Sequence, residues 1–423
     1  MPHRASPDLR FAVSRRQILV GAAAALGSGA LAYPLRAAPL EKKPRKQLLV
    51  FLLSGGASQL ETWDPKPGTA TGGPFRAIPT SIPGVHVSEL LPHTAKIMHR
   101  LAVVRSLDSK IAGHEPATYA MQAGRIVPGY PELGSAVAKL LERPEDVLPG
   151  HVVIHRTGTK GYTDLGGAGF LGAKYEPIRL IGNEPPKNLV RLPTVSETQS
   201  ALIDRVRRST DERYRQRREL GPSAAYATTY DQAKALMERR EIFDLTKEST
   251  ADVERYGKHE FGQNCLLARR LLMAGITSVK VTHFDWDSHQ HNFHWQKVRC
   301  AEFDRTFATF IEDLAERGML EHTHVLVTSE MGRTPQIDNL GGRGHWGKAW
   351  SVVMAGSGVK PGMVYGSTTD DGMEVKDDKI SLGDLFHTNL SALGIDSSAS
   401  YAIAGQTNPV ADPAAKPVDA LLA

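Results

Sequence analysis

The stretch "QLLVFLLSGG", residues 47–56, decides the fold class of this chain. Its first seven residues form an apolar run, which ends in a serine and two glycines. Such a run is typical of a strand that is buried on both faces and followed by a tight turn. The same form recurs at "LAVVRSL" (101–107), "ITSVKVTHF" (276–284), "HVLVTSE" (324–330) and "WSVVMAGSG" (350–358).

Helical patterns lie between these runs. "NCLLARRLLMAG" (264–275) ends at a glycine, and residues 299–319 carry apolar side chains at three- and four-residue spacing. Alternating strands and helices predict an α/β fold, a doubly wound, mostly parallel sheet with helices on both faces. We predict a single domain over residues 47–410, with a charged helical excursion at about 195–250 and a C-terminal tail at 411–423.

The N-terminus has the pattern of an export signal. Arg15 and Arg16 precede the weakly apolar run "GAAAALGSGALAY", and small residues follow near Ala37 and Ala38. Residues 1–38 are therefore predicted to be a signal peptide for the twin-arginine translocase, and residues 39–46 a linker. The apolar run is shorter than a membrane-spanning helix requires, so we expect no stable membrane span in a mature protein that is periplasmic or secreted.

Charge and cysteine content exclude other classes. Removing residues 1–38 takes away five arginines and one aspartate, which lowers the formal charge from +5 to +1. No basic stripe with interleaved aromatic residues remains, so nucleic acid is not an expected partner. The two cysteines, Cys265 and Cys300, form no CxxC motif and are expected either to pair or to be buried thiols.

Polar residues follow the predicted strands at the place where an open parallel sheet binds its ligands, beyond the carboxyl ends. A capping or surface role explains any one of them, but their recurrence at one edge points to a site. The candidates are Ser54, Ser58, Glu61 and Asp64 after the first run, Asp108 and His114 after the second, Asp287, His289 and His291 after the third, and Glu330, Arg333 and His345 after the fourth.

The segment "HFDWDSHQHNFH" (283–294) indicates the chemistry of this site. Carboxylate oxygen together with neutral imidazole nitrogen suits Zn, Mn or Fe, whereas Ca or Mg sites use oxygen alone. Asp287 and His289 share a face if the segment is extended, and Asp287 and His291 share one if it is helical, so the pair stays open. His283, Asp285 and His294 are expected in supporting or surface positions.

Other reaction types lack their motifs. The chain contains no G-x-S-x-G elbow, no H-E-x-x-H zinc motif and no GxxxxGK[ST] phosphate loop.

Several motifs together resemble one bacterial family, called domain of unknown function 1501. They are "LLSGGASQLETWDPKP", "WDSHQHNF", "TSEMGRTP", "GGRGHWGKAWSVVMAGSG" and "VYGSTTDDG", in the expected order over roughly residues 47–395. The family is grouped with the alkaline phosphatase and sulfatase superfamily. The resemblance therefore implies an alkaline phosphatase-like fold and a divalent metal centre at the strand ends.

The resemblance also implies ligand positions. "VTSEMG" is similar to a "TSDHG" strand end, which places Glu330 at a ligand position and Met331 where a histidine usually stands. Asp287 with His289 or His291 resembles the Asp-and-His ligand segment, and His345 resembles a late ligand histidine. Glu61 and Asp64 lie near the place of the first-strand carboxylate.

One motif departs from the superfamily. "HEPATYAMQAGR" is similar to the sulfatase pattern C-x-P-S-R-A-x-L-x-T-G-R, with Pro116, Gly124 and Arg125 matching and His114 at the nucleophile position. A histidine there can be a nucleophile, a general base or a metal ligand. Arg125 or Arg333 would hold the anion, unless each forms a structural salt bridge.

The leading hypothesis is an exported, metal-dependent hydrolase of a phosphate or sulfate ester, carried by a small molecule or a carbohydrate. The alternative is a non-catalytic exported protein of the same fold that binds a glycan or a protein. His114 and Met331 favour the alternative, and the retained carboxylates and histidines favour the enzyme. A scaffold without metal is a third hypothesis, which the clustering of histidine and aspartate disfavours.

Overall fold

The strands are defined by a computed structural model of the protein, which describes residues 44–157, 165–186, 189–217, 222–403 and 405–423. Residues Arg45–Ala423 form one compact unit. Its strands are β1 (Gln47–Leu53), β2 (Ala77–Pro79), β3 (His86–Ser88), β4 (Leu101–Leu107), β5 (His151–His155), β6 (Ile178–Ile181), β7 (Ser278–His283), β8 (Thr323–Thr328), β9 (Gly332–Arg333), β10 (His345–Trp346), β11 (Trp350–Gly356), β12 (Met363–Tyr365), β13 (Ser367–Thr368), β14 (Val375–Asp377), β15 (Ser400–Ile403) and β16 (Gln406–Pro409).

The α-helices connect these strands and cover the sheet. They are α1 (Pro92–Ile97), α2 (His114–Ala123), α3 (Leu133–Leu140), α4 (Glu197–Arg217), α5 (Pro222–Glu238), α6 (Thr250–Tyr256), α7 (Glu260–Met273), α8 (Asn292–Glu316) and α9 (Leu382–Ala392). Within the described residues, the segment predicted as a helical excursion holds α4 and α5.

The main sheet has the strand order β12-β4-β11-β8-β1-β7-β5-β6. β11 is antiparallel to both of its neighbours, β4 and β8, and the other paired neighbours are parallel. β11 therefore begins at the edge where the parallel strands end. The predicted mostly parallel fold class is confirmed.

β1 separates two hydrophobic cores because its side chains alternate between the faces of the sheet. Leu49, Phe51 and Leu53 join the core formed with α7 and α8. Leu48 and Val50 join the core formed with α2, α3 and α9. All seven residues of β1 are buried, as the apolar run predicts.

The structure describes the C-terminal end of the chain but not its first 43 residues. Residues 1–38, the predicted signal peptide, and residues 39–43 of the predicted linker lie outside the described residues. The segment predicted as a tail, 411–423, lies against the domain, since Leu421 is fully buried and Val359 pairs with Leu422. Over the described ranges, no helix is both long and apolar enough to cross a membrane.

Cys265 and Cys300 are separate buried thiols on α7 and α8. Burial raises the pKa of both thiols well above the ordinary value, so both stay protonated and unreactive.

His324 makes the stability of the fold depend on pH. Its ring is fully buried in β8, with Nε2 2.7 Å from Asn389 Oδ1, and burial lowers its pKa from 6.5 to about 4. Between these values the unfolded chain takes up a proton that the folded chain does not. We expect this histidine to lower the free energy of unfolding by up to about 1.4 kcal/mol per pH unit as the pH falls from 6.5 to 4.

The measurement is urea denaturation between pH 4 and 7 of the wild type and of a His324→Gln variant. The difference in the free energy of unfolding between the two proteins should change between pH 4 and 6.5 and be constant from pH 6.5 to 7. A constant difference from pH 4 to 7 would contradict the assignment.

Candidate metal centre

Strand register brings four loops together at the carboxyl edge of the sheet. Leu53 of β1 lies opposite His283 of β7, and Leu52 lies opposite Thr328 of β8. Three loops therefore begin side by side: the loop after β1, which starts at Ser54, the loop after β7, which carries Asp287, and the loop after β8, which carries Glu330. His345 reaches the same edge because β11, which follows it, starts with Trp350 opposite Leu107.

Gly55 permits the close approach of two of these loops. Its φ is +115°, and a Cβ at this position would lie 2.5 Å from the backbone nitrogen of Asp287. Only glycine fits both requirements. The Gly55 N–H donates to Glu330 Oε1 at 2.8 Å, which ties the β1 loop to the β8 loop.

Asp287 is the centre of a cluster with two histidines. His114 Nε2 lies 3.2 Å from Asp287 Oδ2, and His345 Nε2 lies 3.3 Å from Asp287 Oδ1. One ligand atom from each of the three residues lies within 4.8 Å of the others. The His114 side chain is 15% exposed and that of Asp287 34%, so the cluster opens to solvent on one side.

The far nitrogen of each histidine is held by an acceptor. His114 Nδ1 lies 2.9 Å from the buried carboxylate oxygen Oε1 of Glu330, and His345 Nδ1 lies 2.8 Å from the carbonyl oxygen of Ala112. A carbonyl oxygen accepts and never donates, so we assign the proton of His345 to Nδ1. The Glu330 carboxylate also accepts, so by the same argument we assign the proton of His114 to Nδ1.

This tautomer leaves two Nε2 lone pairs facing the carboxylate of Asp287. Such an arrangement is repulsive unless a proton or a metal cation lies between the atoms. Burial lowers the pKa of His114, but hydrogen bonds and charge from Asp287 and Glu330 outweigh it and raise the pKa to about 9. Burial raises the pKa of Asp287, but hydrogen bonds from His114 and His345 and the charge of Arg333 hold it well below its ordinary range.

The donor set fits a divalent metal ion. Because one ligand atom from each of the three residues lies within 4.8 Å of the others, the three side chains are placed where they could hold a single ion. Metal-bound histidines commonly donate the other ring N–H to a carboxylate or a backbone carbonyl, as His114 and His345 do here. Imidazole with carboxylate suits Zn, Mn or Fe.

His289 and His291 take different positions. His289 Nε2 lies 2.9 Å from His345 Nε2 and 3.1 Å from Asp287 Oδ1, so His289 stands beside the cluster with a half-exposed side chain. His291 is an exposed residue in the left-handed conformation at the start of α8, and its backbone N–H donates to the Leu340 carbonyl. Of the two spacings left open by the sequence, the structure brings His289 to Asp287.

Glu330 and Arg333 are buried residues that contact the cluster, Glu330 through His114 and Arg333 through Asp287. Glu330 is 1% exposed and accepts hydrogen bonds from Gly55 and Ser329 besides its contact with His114. Arg333 is fully buried, and its guanidinium contacts Asp287 Oδ1 and the carbonyl oxygens of Gly55, Gly56 and Arg343. Its N–H groups therefore bind the protein itself.

Glu61 and Asp64 are engaged with other partners. Glu61 is fully buried and binds the guanidinium of Arg343 and, at 3.0 Å, Asn292 Nδ2. Asp64 contacts Thr368 Oγ1 and lies 3.2 Å from Lys66 Nζ. Neither belongs to the group of ligand atoms around Asp287 in the described part of the chain.

Arg125 lies at the other end of α2 from His114. At 1.5 Å per residue, the helix separates the two positions by about 15 Å. The guanidinium carbon of Arg125 lies 4.0 Å above the centre of the Tyr130 ring.

Sequence reasoning missed Arg343, although this residue holds the site together. Its side chain binds Glu61 and the carbonyl oxygens of Thr71, Thr334 and Pro335, while its carbonyl accepts from Arg333. The only available signal was its place in the glycine-rich segment "GGRGHWG", directly before His345. The Ala112 carbonyl carried no signal, since a backbone group has no sequence identity.

A family model described as "Protein of unknown function (DUF1501)" matches residues 45–422. No curated protein matches the sequence.

Solved structures with a similar fold include a sulfatase, a lipoteichoic acid synthase and an alkaline phosphatase. PsFucS1 sulfatase from Pseudoalteromonas sp. is 13% identical, with a TM-score of 0.39 over 84% of this chain and 68% of that chain. The lipoteichoic acid synthase LtaP from Listeria monocytogenes is 9% identical, with a TM-score of 0.39 over 87% and 74%. A mutant alkaline phosphatase from the Antarctic bacterium TAB5, with Mg bound, is 11% identical, with a TM-score of 0.38 over 83% and 99%.

Removing one cluster histidine should abolish metal binding. Purified without chelator, the wild type is expected to hold about one equivalent of Zn, Mn or Fe, and a His345→Ala variant should hold almost none because it loses one of three ligands. Elemental analysis by mass spectrometry measures the content.

His291→Ala is the matched control, since His291 lies on the same loop outside the cluster, and it should keep the metal. A folded wild type without metal, or a His345→Ala variant with full metal content, would contradict the site.

Proposed function

Because this chain belongs to the DUF1501 family of proteins of unknown function, we propose its activity from its site: a metal-dependent hydrolase of a phosphate or sulfate ester. The observation that carries this proposal is the pair of histidines that are oriented through Nδ1 and converge through Nε2 on one aspartate. A divalent ion bound there would act as a Lewis acid on an ester oxygen and offset the charge that develops on it.

Three residues of the chain would hold the ion: His114, Asp287 and His345. Glu330 and the Ala112 carbonyl fix the ring orientation of the two histidines, so the ligands are arranged before the ion binds. His114 donates through Nδ1 to the buried Glu330 carboxylate and faces Asp287 with Nε2, the arrangement of a metal ligand, which favours that role over the roles of nucleophile and general base.

Lysines beside the cluster support an anionic substrate. A cavity of about 390 Å³ is lined by Asp108, Lys110, Lys348, Glu374, Val375 and Lys379. Lys379 pairs with Asp108 at 2.9 Å, whereas no ion pair of Lys110 or Lys348 occurs among the described residues. The backbone N–H of Lys110 donates to the Gly347 carbonyl, two residues after His345, so the cavity adjoins the cluster.

We assign the binding of the substrate anion to these lysines, because the N–H groups of the buried Arg333 already contact acceptors of the protein. Two unpaired ammonium groups can bind the oxygen atoms of a phosphoryl or sulfuryl group and hold the ester beside the metal ligands. The strained backbone of Lys110, with φ of +59°, is consistent with a position kept for function.

Ester hydrolysis tests the proposal. The metal-loaded wild type should cleave 4-nitrophenyl phosphate or 4-nitrophenyl sulfate, and His345→Ala should lower kcat/KM by at least about 100-fold because the ion is lost. A Lys348→Gln variant should keep its metal and raise KM about tenfold, since it loses a charged contact with the anion.

The outcomes separate the candidate functions. A His114→Ala variant that keeps its metal but loses turnover would make His114 a nucleophile or base. A metal-loaded wild type that cleaves neither ester would contradict the hydrolase and favour the non-catalytic binding protein of the same fold.

We also propose export by the twin-arginine translocase, on the evidence of Arg15 and Arg16 before a weakly apolar run. In a Gram-negative host, the wild type should reach the periplasm without residues 1–38, and an Arg15→Lys, Arg16→Lys double variant should stay in the cytoplasm at full length. Cell fractionation with mass spectrometry of the N-terminus measures this. Arg10→Lys is the control, and a double variant that is still exported would contradict the route.

A further inference from the structure

Arg125 is a buried cation without a counterion among the described residues. The residue is 8% exposed, and its Nε and Nη2 atoms are buried with no hydrogen-bond partner. Burying a charge costs several kcal/mol unless a partner compensates for it. The stacking of its guanidinium on Tyr130 offsets only part of that cost, on the order of 1–2 kcal/mol.

The carboxylate of Glu132, seven residues along the chain from Arg125, is paired with other cations. Glu132 contacts the ammonium of Lys280 and lies 3.3 Å from His151 Nε2. Lys280 also binds Gln122 Oε1, which turns the Gln122 amide nitrogen away from that pair and leaves it buried without an acceptor. Gln122 lies in the last turn of α2, three residues before Arg125, and supplies a second unused donor in this segment.

Tyr401 supplies a third unused donor: burial raises the pKa of its hydroxyl, and the charge of Arg125 acts to lower it. Its side chain is 4% exposed, and its hydroxyl is buried without a partner in the described part of the chain. An aromatic chain joins it to Arg125: the Tyr130 and Phe170 rings are 5.2 Å apart, and the Phe170 and Tyr401 rings are 5.5 Å apart. We call Gln122, Arg125 and Tyr401, with these two rings, the Arg125 site.

Each unused group of the Arg125 site can donate a hydrogen bond, and one carries a positive charge. Such a set favours a ligand that accepts hydrogen bonds and carries negative charge. We propose that the Arg125 site binds an oxyanion group: a phosphate, a sulfate or a carboxylate. It is a second site, about 15 Å along α2 from His114, and does not depend on the proposed hydrolase activity.

Thermal unfolding of chelator-treated protein tests this site without the metal. Titration with sodium phosphate, against sodium chloride of equal ionic strength, should raise the Tm of the wild type in a saturable way. Sulfate and acetate arms, run in the same manner, show which oxyanion shape is preferred. Arg125→Met keeps the length of the side chain but removes the charge, and it should abolish the response.

Two further variants keep the test decisive. Tyr401→Phe removes only the hydroxyl and should raise the half-saturating phosphate concentration about three- to tenfold, as the loss of one hydrogen bond requires. Arg76→Met removes an exposed arginine and should respond like the wild type. Without phosphate, Arg125→Met should melt above the wild type because it no longer buries an uncompensated charge.

The proposal is overturned if the wild type shows no response beyond that of chloride, or if Arg125→Met responds as the wild type does. It is equally overturned if Tyr401→Phe and the wild type bind phosphate with the same affinity, since the hydroxyl would then not face the anion.

Discussion

The arrangement at the edge of the sheet depends on one constraint: Arg333 carries a full charge where water does not reach. A guanidinium with five N–H groups must find acceptors inside the protein, and it finds them on three different loops. The carbonyls of Gly55 and Gly56 follow β1, Asp287 follows β7, and the Arg343 carbonyl precedes His345. Each loop is therefore placed relative to the others by the same side chain.

Arg343 extends this frame to the outer loops. It is also fully buried, and its pairing with Glu61 holds the segment that follows β1 against the segment before β10. Asn292 at the start of α8 joins the same carboxylate. The histidines of the cluster thus rest on Arg333, Arg343 and Glu61, whose charges are all buried. A substitution that removes one of these side chains would leave a buried charge unpaired and disturb the loops that it joins.

The parts of this architecture that were visible in the sequence are the local ones. The bounds of β1 and β4 agree with the apolar runs 47–53 and 101–107, because a strand buried on both faces leaves a continuous pattern. β5 and β6 were not predicted, since "HVVIH" and "IRLI" are short and flanked by polar residues. The contact of His114 with Asp287 joins positions 173 residues apart, and no local pattern encodes such a pairing. Glu61 shows the same limit: next to a strand end it resembles a ligand, and only the fold reveals that Arg343 neutralises it.

The position of β1 at the centre of the sheet has a consequence for synthesis. β1 is the first strand of the described chain, yet its partners begin at Thr323 on one side and Ser278 on the other. At ribosomal rates of about 5–20 residues per second, its backbone groups lack either sheet neighbour for about 10–50 s after they are made. During that time the most apolar segment of the domain is an unpaired strand edge, the kind of surface on which chains aggregate. The fold is therefore closed only late in translation, and a nascent chain of this protein is a natural client for a chaperone that covers short apolar segments.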